Sequence, residues 1–170
     1  MQKVRGLLTL VLVLGGVGYF LYSQSGEKAF NGYILQARPW LEKSDATLNQ
    51  FAAWLKRSEI VDESAPDGAE QKAALEADLA PIVEAYRGVV QGLHAIPCED
   101  PEIKPMKAQL DLYGSKRLEF LEQFQAWVLD PEGQSPPDQQ LVAASDGGLV
   151  EFQRLRAAYF TKYNLLEETK

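Results

Sequence analysis

The chain has 170 residues, 46% of them hydrophobic, with a single cysteine and a single histidine. That length suits one core-forming domain plus an anchor, and the lone Cys98 excludes an intramolecular disulfide. Of the basic residues only Lys3 and Arg5 precede the first apolar run, so from Glu27 onward 15 basic side chains meet 24 acidic ones, a formal charge of −9 that disfavours nucleic acid and anionic lipid headgroups as partners.

In chain order, Gly6 to Tyr22 comes first, seventeen residues without a charge. This is at the short end of what crosses a hydrocarbon core of roughly 30 Å. Lys3 and Arg5 on its N-terminal flank predict a cytoplasmic N-terminus, and Tyr19, Phe20 and Tyr22 stand where an interfacial aromatic belt belongs. A cleaved signal peptide is the competing reading, with Ser23-Gln24-Ser25 as its small-residue site. The missing Ala-x-Ala motif and the terminal aromatics favour a retained signal-anchor over residues 1–26. Gly15, Gly16 and Gly18 form no Gly-xxx-Gly pair, so nothing predicts pairing through this segment.

Residues 27–170 form the second predicted unit, a helical domain outside the cytoplasm. From Glu27 to Ile60, Phe30, Ile34, Ala37, Leu41, Leu48, Phe51 and Leu55 recur at three- and four-residue steps, with Trp40 and Trp54 beside the stripe. Pro39 is expected to kink or divide this helix near Arg38. Val61 to Gly68 reads as an acidic loop, and Asp67 with Glu70 has capping-box spacing for a second helix. That helix runs to about His94 on Leu75, Leu79, Ile82, Val83, Tyr86, Val89, Val90 and Leu93, with a kink expected at Pro81.

Asp100 as N-cap and Pro101 as first helical residue open a third helix on Ile103, Met106, Leu110, Tyr113, Phe120, Leu121, Phe124, Trp127 and Val128. Prolines and a glycine make Asp130 to Pro137 a loop. The last helix, from about Asp138 to Glu168, follows Leu141, Val142, Leu149, Phe152, Leu155, Tyr159, Tyr163 and Leu166. Gly147-Gly148 is expected to break it, because two glycines cost roughly 2 kcal/mol against alanines in a helix interior. The fold class is therefore all-α: one transmembrane helix, then an antiparallel four-helix bundle with proline-kinked helices.

Chemistry-bearing patterns are sparse. His94 has Gln91, not a glutamate, three residues before it, which removes the di-metal bundle motif, and one histidine with one cysteine makes no zinc shell. No Gly-x-Ser-x-Gly elbow, phosphate-binding loop or paired-cysteine motif occurs. No residue is assigned a catalytic, metal or cofactor role, and the expectation is a protein without enzymatic activity.

Surface features carry what remains. Glu59, Asp62, Glu63, Asp67, Glu70, Glu76 and Asp78 surround the first soluble loop, and Asp62, Glu63 and Asp67 are the candidate contacts for a basic protein partner. Phe160 lies off its stripe and marks an interface if exposed with Trp40 or Trp54. Gly88, Gly92 and Gly114 are expected to let helices pack closely, with a ligand groove as the alternative. The expected function is a bacterial inner-membrane protein, held in the bilayer by Gly6 to Tyr22, whose periplasmic bundle binds or scaffolds a protein. An envelope inhibitor or immunity-type protein and a small-molecule carrier or sensor bundle are the alternatives.

Overall fold

The computed structural model describes residues 28–59 and 66–162, which fold into four helices with no strand among them. They are α1 (Lys28–Ser58), α2 (Gly68–Ala95), α3 (Lys104–Leu129) and α4 (Gln139–Lys162). No described helix is long and apolar enough to cross a membrane. The expected span Gly6 to Tyr22, the loop residues Asp62 and Glu63, and the expected end of the last helix lie outside the described residues.

The stripes predict the core well. Phe30, Ile34, Ala37, Leu41, Leu48, Phe51 and Leu55 of α1 and Leu79, Ile82, Val83, Tyr86, Val89, Val90 and Leu93 of α2 are buried in one shared core. Burying a side chain of this size contributes about 1.5–3 kcal/mol, so the shared core outweighs local helix preferences. Close backbone packing links α1 with α2, α2 with α3, and α3 with α4, the succession that short antiparallel connections impose. The outer helices meet through side chains, Phe30 packing on Tyr159 and Phe160 with ring centroids 5.5 and 5.0 Å apart. At the opposite end Phe51 and Trp54 of α1 reach Phe124 of α3 at 5.2 and 5.7 Å, both edge to face. Trp54 also donates its indole N–H to the Leu75 carbonyl at 2.7 Å.

Two expected breaks are absent, at Pro39 in α1 and at Gly147-Gly148 in α4. α1 runs through Pro39 and α2 through Pro81. Each proline frees the carbonyl four residues back, Leu35 or Ala77, and all four residues are exposed, so water satisfies what the ring removes. Gly147 and Gly148 likewise sit inside an unbroken α4. A Cβ at Gly148 would stand 3.0 Å from the Gln109 carbonyl oxygen and 3.3 Å from the Tyr113 nitrogen. The glycine is thus a backbone-to-backbone contact with α3, and packing overrides its poor helix propensity.

The caps differ in detail from the sequence expectation. Asp67 stands at the N-cap of α2, but its side chain makes no cap bond and instead accepts from Gln71 Nε2 at 2.6 Å. Asp100 Oδ1 accepts the backbone N–H groups of Glu102 (2.8 Å) and Ile103 (3.3 Å), capping a single turn that leads into α3 at Lys104. Asp138 Oδ1 accepts from the Gln140 N–H at 2.8 Å and opens α4.

Candidate functional site

Two features stand apart from the apolar packing: a polar layer across the middle of the bundle and an acidic end. Ser44 of α1 is buried on the α1 stripe, and its Oγ lies 3.3 Å from both the Tyr86 hydroxyl of α2 and the Tyr113 hydroxyl of α3. Ser145 of α4, also buried, donates to the Tyr113 carbonyl at 2.9 Å. One turn beyond Tyr113, Arg117 occupies a core position of α3 with 3% of its surface exposed, and its Nη2 donates to Asp146 Oδ1 of α4 at 2.5 Å. All four helices thus contribute a polar group at one level.

The electrostatics of this layer follow from burial. Desolvation pushes the Tyr86 and Tyr113 phenols above their usual range, while the Arg117 charge pulls both back toward it. Asp146 is raised by burial despite the adjacent guanidinium. Asp45, half-buried beside Ser44, is pushed up to about 6 by burial and by the neighbouring Glu42. Arg117 Nε is buried without a hydrogen-bond partner, a condition that costs about 1–3 kcal/mol when uncompensated. The sequence reading singles out none of these residues as a site. The signal that could have found them is polarity on an apolar stripe. Ser44 stands between Leu41 and Leu48, and Arg117 between Tyr113 and Phe120, as core positions filled by polar groups.

The acidic end is set by topology. Antiparallel connection places the end of α1 and the start of α2 at the same end of the bundle as the end of α3 and the start of α4, opposite the start of α1. Glu59, Asp67 and Glu70 from the first region and Asp130, Glu132 and Asp138 from the second are exposed there. Arg57, in the last turn of α1, is paired with Asp78 of α2 at 2.9 Å. Of the expected partner contacts, Asp67 belongs to this end.

Phe160 is buried against Phe30, with the Arg156 guanidinium 4.7 Å from its ring centre, so the exposure that would mark it as an interface is not met. Gly92 lies under the Trp40 ring, where a Cβ would come within 2.2 Å of ring carbons. Gly114 faces Leu93 and Val90 at 3.4 and 3.5 Å, and Gly88 faces Lys43 Nζ at 3.5 Å. Gly92 and Gly114 thus lie at contacts between helices, while Gly88 has only the flexible end of Lys43 beside it.

His94 has partners that resemble a hydrolytic set without its geometry. Ser115 Oγ lies 3.2 Å from His94 Nε2, and Asp111 Oδ1 lies 4.0 Å from that same nitrogen. A relay needs the carboxylate and the hydroxyl on opposite ring nitrogens. Asp111 is instead engaged by Lys107 at 2.7 Å, whose ammonium also reaches the Leu93 and His94 carbonyls at the end of α2. That is a helix C-terminal cap. The Cys98 thiol is half-buried and pushed up by burial and then by Asp100, the opposite of an activated nucleophile. Among the described residues no three histidine, cysteine or carboxylate side chains are grouped to hold a metal ion.

The fold and these sites define an all-helical bundle with a polar mid-layer and an acidic end. No family model matches the chain, and neither a curated protein nor a solved structure does.

Proposed function

We propose that the chain is a non-enzymatic, membrane-anchored envelope protein whose acidic bundle binds or scaffolds a basic protein partner. The observation that carries this reading is the grouping of the exposed Glu59, Asp67, Glu70, Asp130, Glu132 and Asp138 at the end of the bundle opposite Lys28, the first described residue after the apolar segment. If Gly6 to Tyr22 spans the inner membrane with Lys3 and Arg5 inside, the bundle is periplasmic. A 31-residue α1 sets that end roughly 45 Å from the start of the helix, within reach of an envelope partner. Opposed charge would speed encounter and fix orientation more than it would add affinity.

The test is recovery of partners from membranes with the full chain and with the triple reversal Asp62→Lys, Glu63→Lys and Asp67→Lys. The expected result is loss of a partner that the parent chain retains, with stronger loss at higher salt. Equal recovery by both chains removes the acidic-end reading.

A further inference from the structure

We propose that the ion pair of Arg117 and Asp146 binds one internal water molecule, held between the Nε–H of the guanidinium and the second carboxylate oxygen of Asp146. The pair joins α3 to α4 through a single contact, Nη2 to Oδ1 at 2.5 Å. Covalent geometry puts the Nε–H and one N–H of Nη2 on the same edge of the planar guanidinium, as nearly parallel donors. A carboxylate seated squarely on that edge engages both. Here it engages one, and Nε is buried without an acceptor among the described residues.

The other side of the pair has a matching shortfall. Among the described residues Asp146 accepts one hydrogen bond, from Nη2, although an ionised carboxylate has room for several. Burial raises its pKa despite the adjacent guanidinium, as befits a carboxylate short of donors. One donor and one acceptor are thus left over within the same ion pair. A water supplies both complements, a lone pair to Nε–H and a proton to Oδ2, and two polar partners are enough to hold it.

Charge and burial select water over the alternatives. The guanidinium is already offset by Asp146, and in a chain of net charge −7 a second anion beside that carboxylate is repelled. A dry edge leaves a buried donor desolvated, which costs more than the entropy of holding one water. Entry is from the Asp146 side, because that side chain is 29% exposed and Arg117 only 4%. The water completes the link between α3 and α4 and satisfies Arg117 in the core without a two-bond carboxylate fork.

The test is the Arg117 Nε–H signal of the full chain in detergent, with its arginines labelled with nitrogen-15. The expected result is a cross-peak from this proton to water with NOE and ROE of opposite sign, which marks direct contact with a long-lived bound water. Peaks of equal sign report proton exchange alone and overturn the proposal, as does the lack of any water peak. Replacing chloride by nitrate should leave the Nε–H shift in place, and a shift that follows the anion overturns the proposal. A crystal structure of the same chain is the second readout. One ordered water within hydrogen-bonding distance of both Nε and Asp146 Oδ2 supports the proposal. A carboxylate closed onto Nε and Nη2 together, or an edge with no ordered water, overturns it.

Discussion

Trp40 and Gly92 show how a single pair of residues decides the local approach of two helices. The half-buried Trp40 ring covers Gly92 so closely that any side chain there meets ring carbons at 2.2 Å, whereas Gly88, one turn away, has only the flexible end of Lys43 at 3.5 Å. Alanine improves helix propensity by about 1 kcal/mol at either position. At Gly92 the clash forces Trp40 off the helix and costs about 1–3 kcal/mol. Gly92→Ala is therefore expected to lower stability by about 1 kcal/mol, and Gly88→Ala to raise it by up to about 1 kcal/mol. Urea midpoints followed by tryptophan fluorescence check both, and a stabilised Gly92→Ala would contradict this packing.

Among the helices, α4 makes the same contrast over two adjacent residues. A Cβ at Gly147 meets nothing within 4 Å, while one at Gly148 runs into the α3 backbone at 3.0 Å. Backbone cannot yield as a lysine end can. Gly147→Ala should stabilise the bundle by about 0.5–1 kcal/mol, and Gly148→Ala should destabilise it by about 1–2 kcal/mol. Thermal unfolding of the two variants tests this, and equal shifts would show that only propensity matters. The same helix shows what is legible in the sequence. Apolar spacing at Leu141, Val142, Leu149 and Phe152 predicts the buried face because burial of such side chains dominates the energy. The glycine pair predicts a break because propensity is a local quantity, and the α3 contact that overrides it is not local. Pro39 and Pro81 cost less than the ring alone suggests, because both occupy exposed faces and the carbonyls they free are open to water. Offset from its stripe places Phe160 at the surface, yet Phe30 at the start of α1 provides a second wall that brings it inside. The acidic loop is legible as composition. That Glu59, Asp67 and Glu70 share an end of the bundle with Asp130, Glu132 and Asp138 depends on topology.

At the scale of the whole molecule, the polar layer is where the bundle departs most from an apolar core, and its ion pair is asymmetric. Arg117 has 4% of its side chain exposed and Asp146 29%, so water compensates the aspartate more readily than the arginine. Removing the carboxylate strands a buried guanidinium, and Asp146→Ala is expected to cost about 3–5 kcal/mol. Arg117→Met leaves a carboxylate that is partly solvated and fills the core position with an apolar chain, so its cost should be nearer about 1–2 kcal/mol. The double variant removes both charges and should recover most of the loss seen with Asp146→Ala. Chemical denaturation of all four proteins gives the coupling directly. Additive losses would mean that the pair does not act across the layer, and a larger loss for Arg117→Met than for Asp146→Ala would reverse the burial argument. If the double variant unfolds as cooperatively as the parent, the ion pair does not decide the choice of fold, since the apolar stripes alone then specify how the four helices pack.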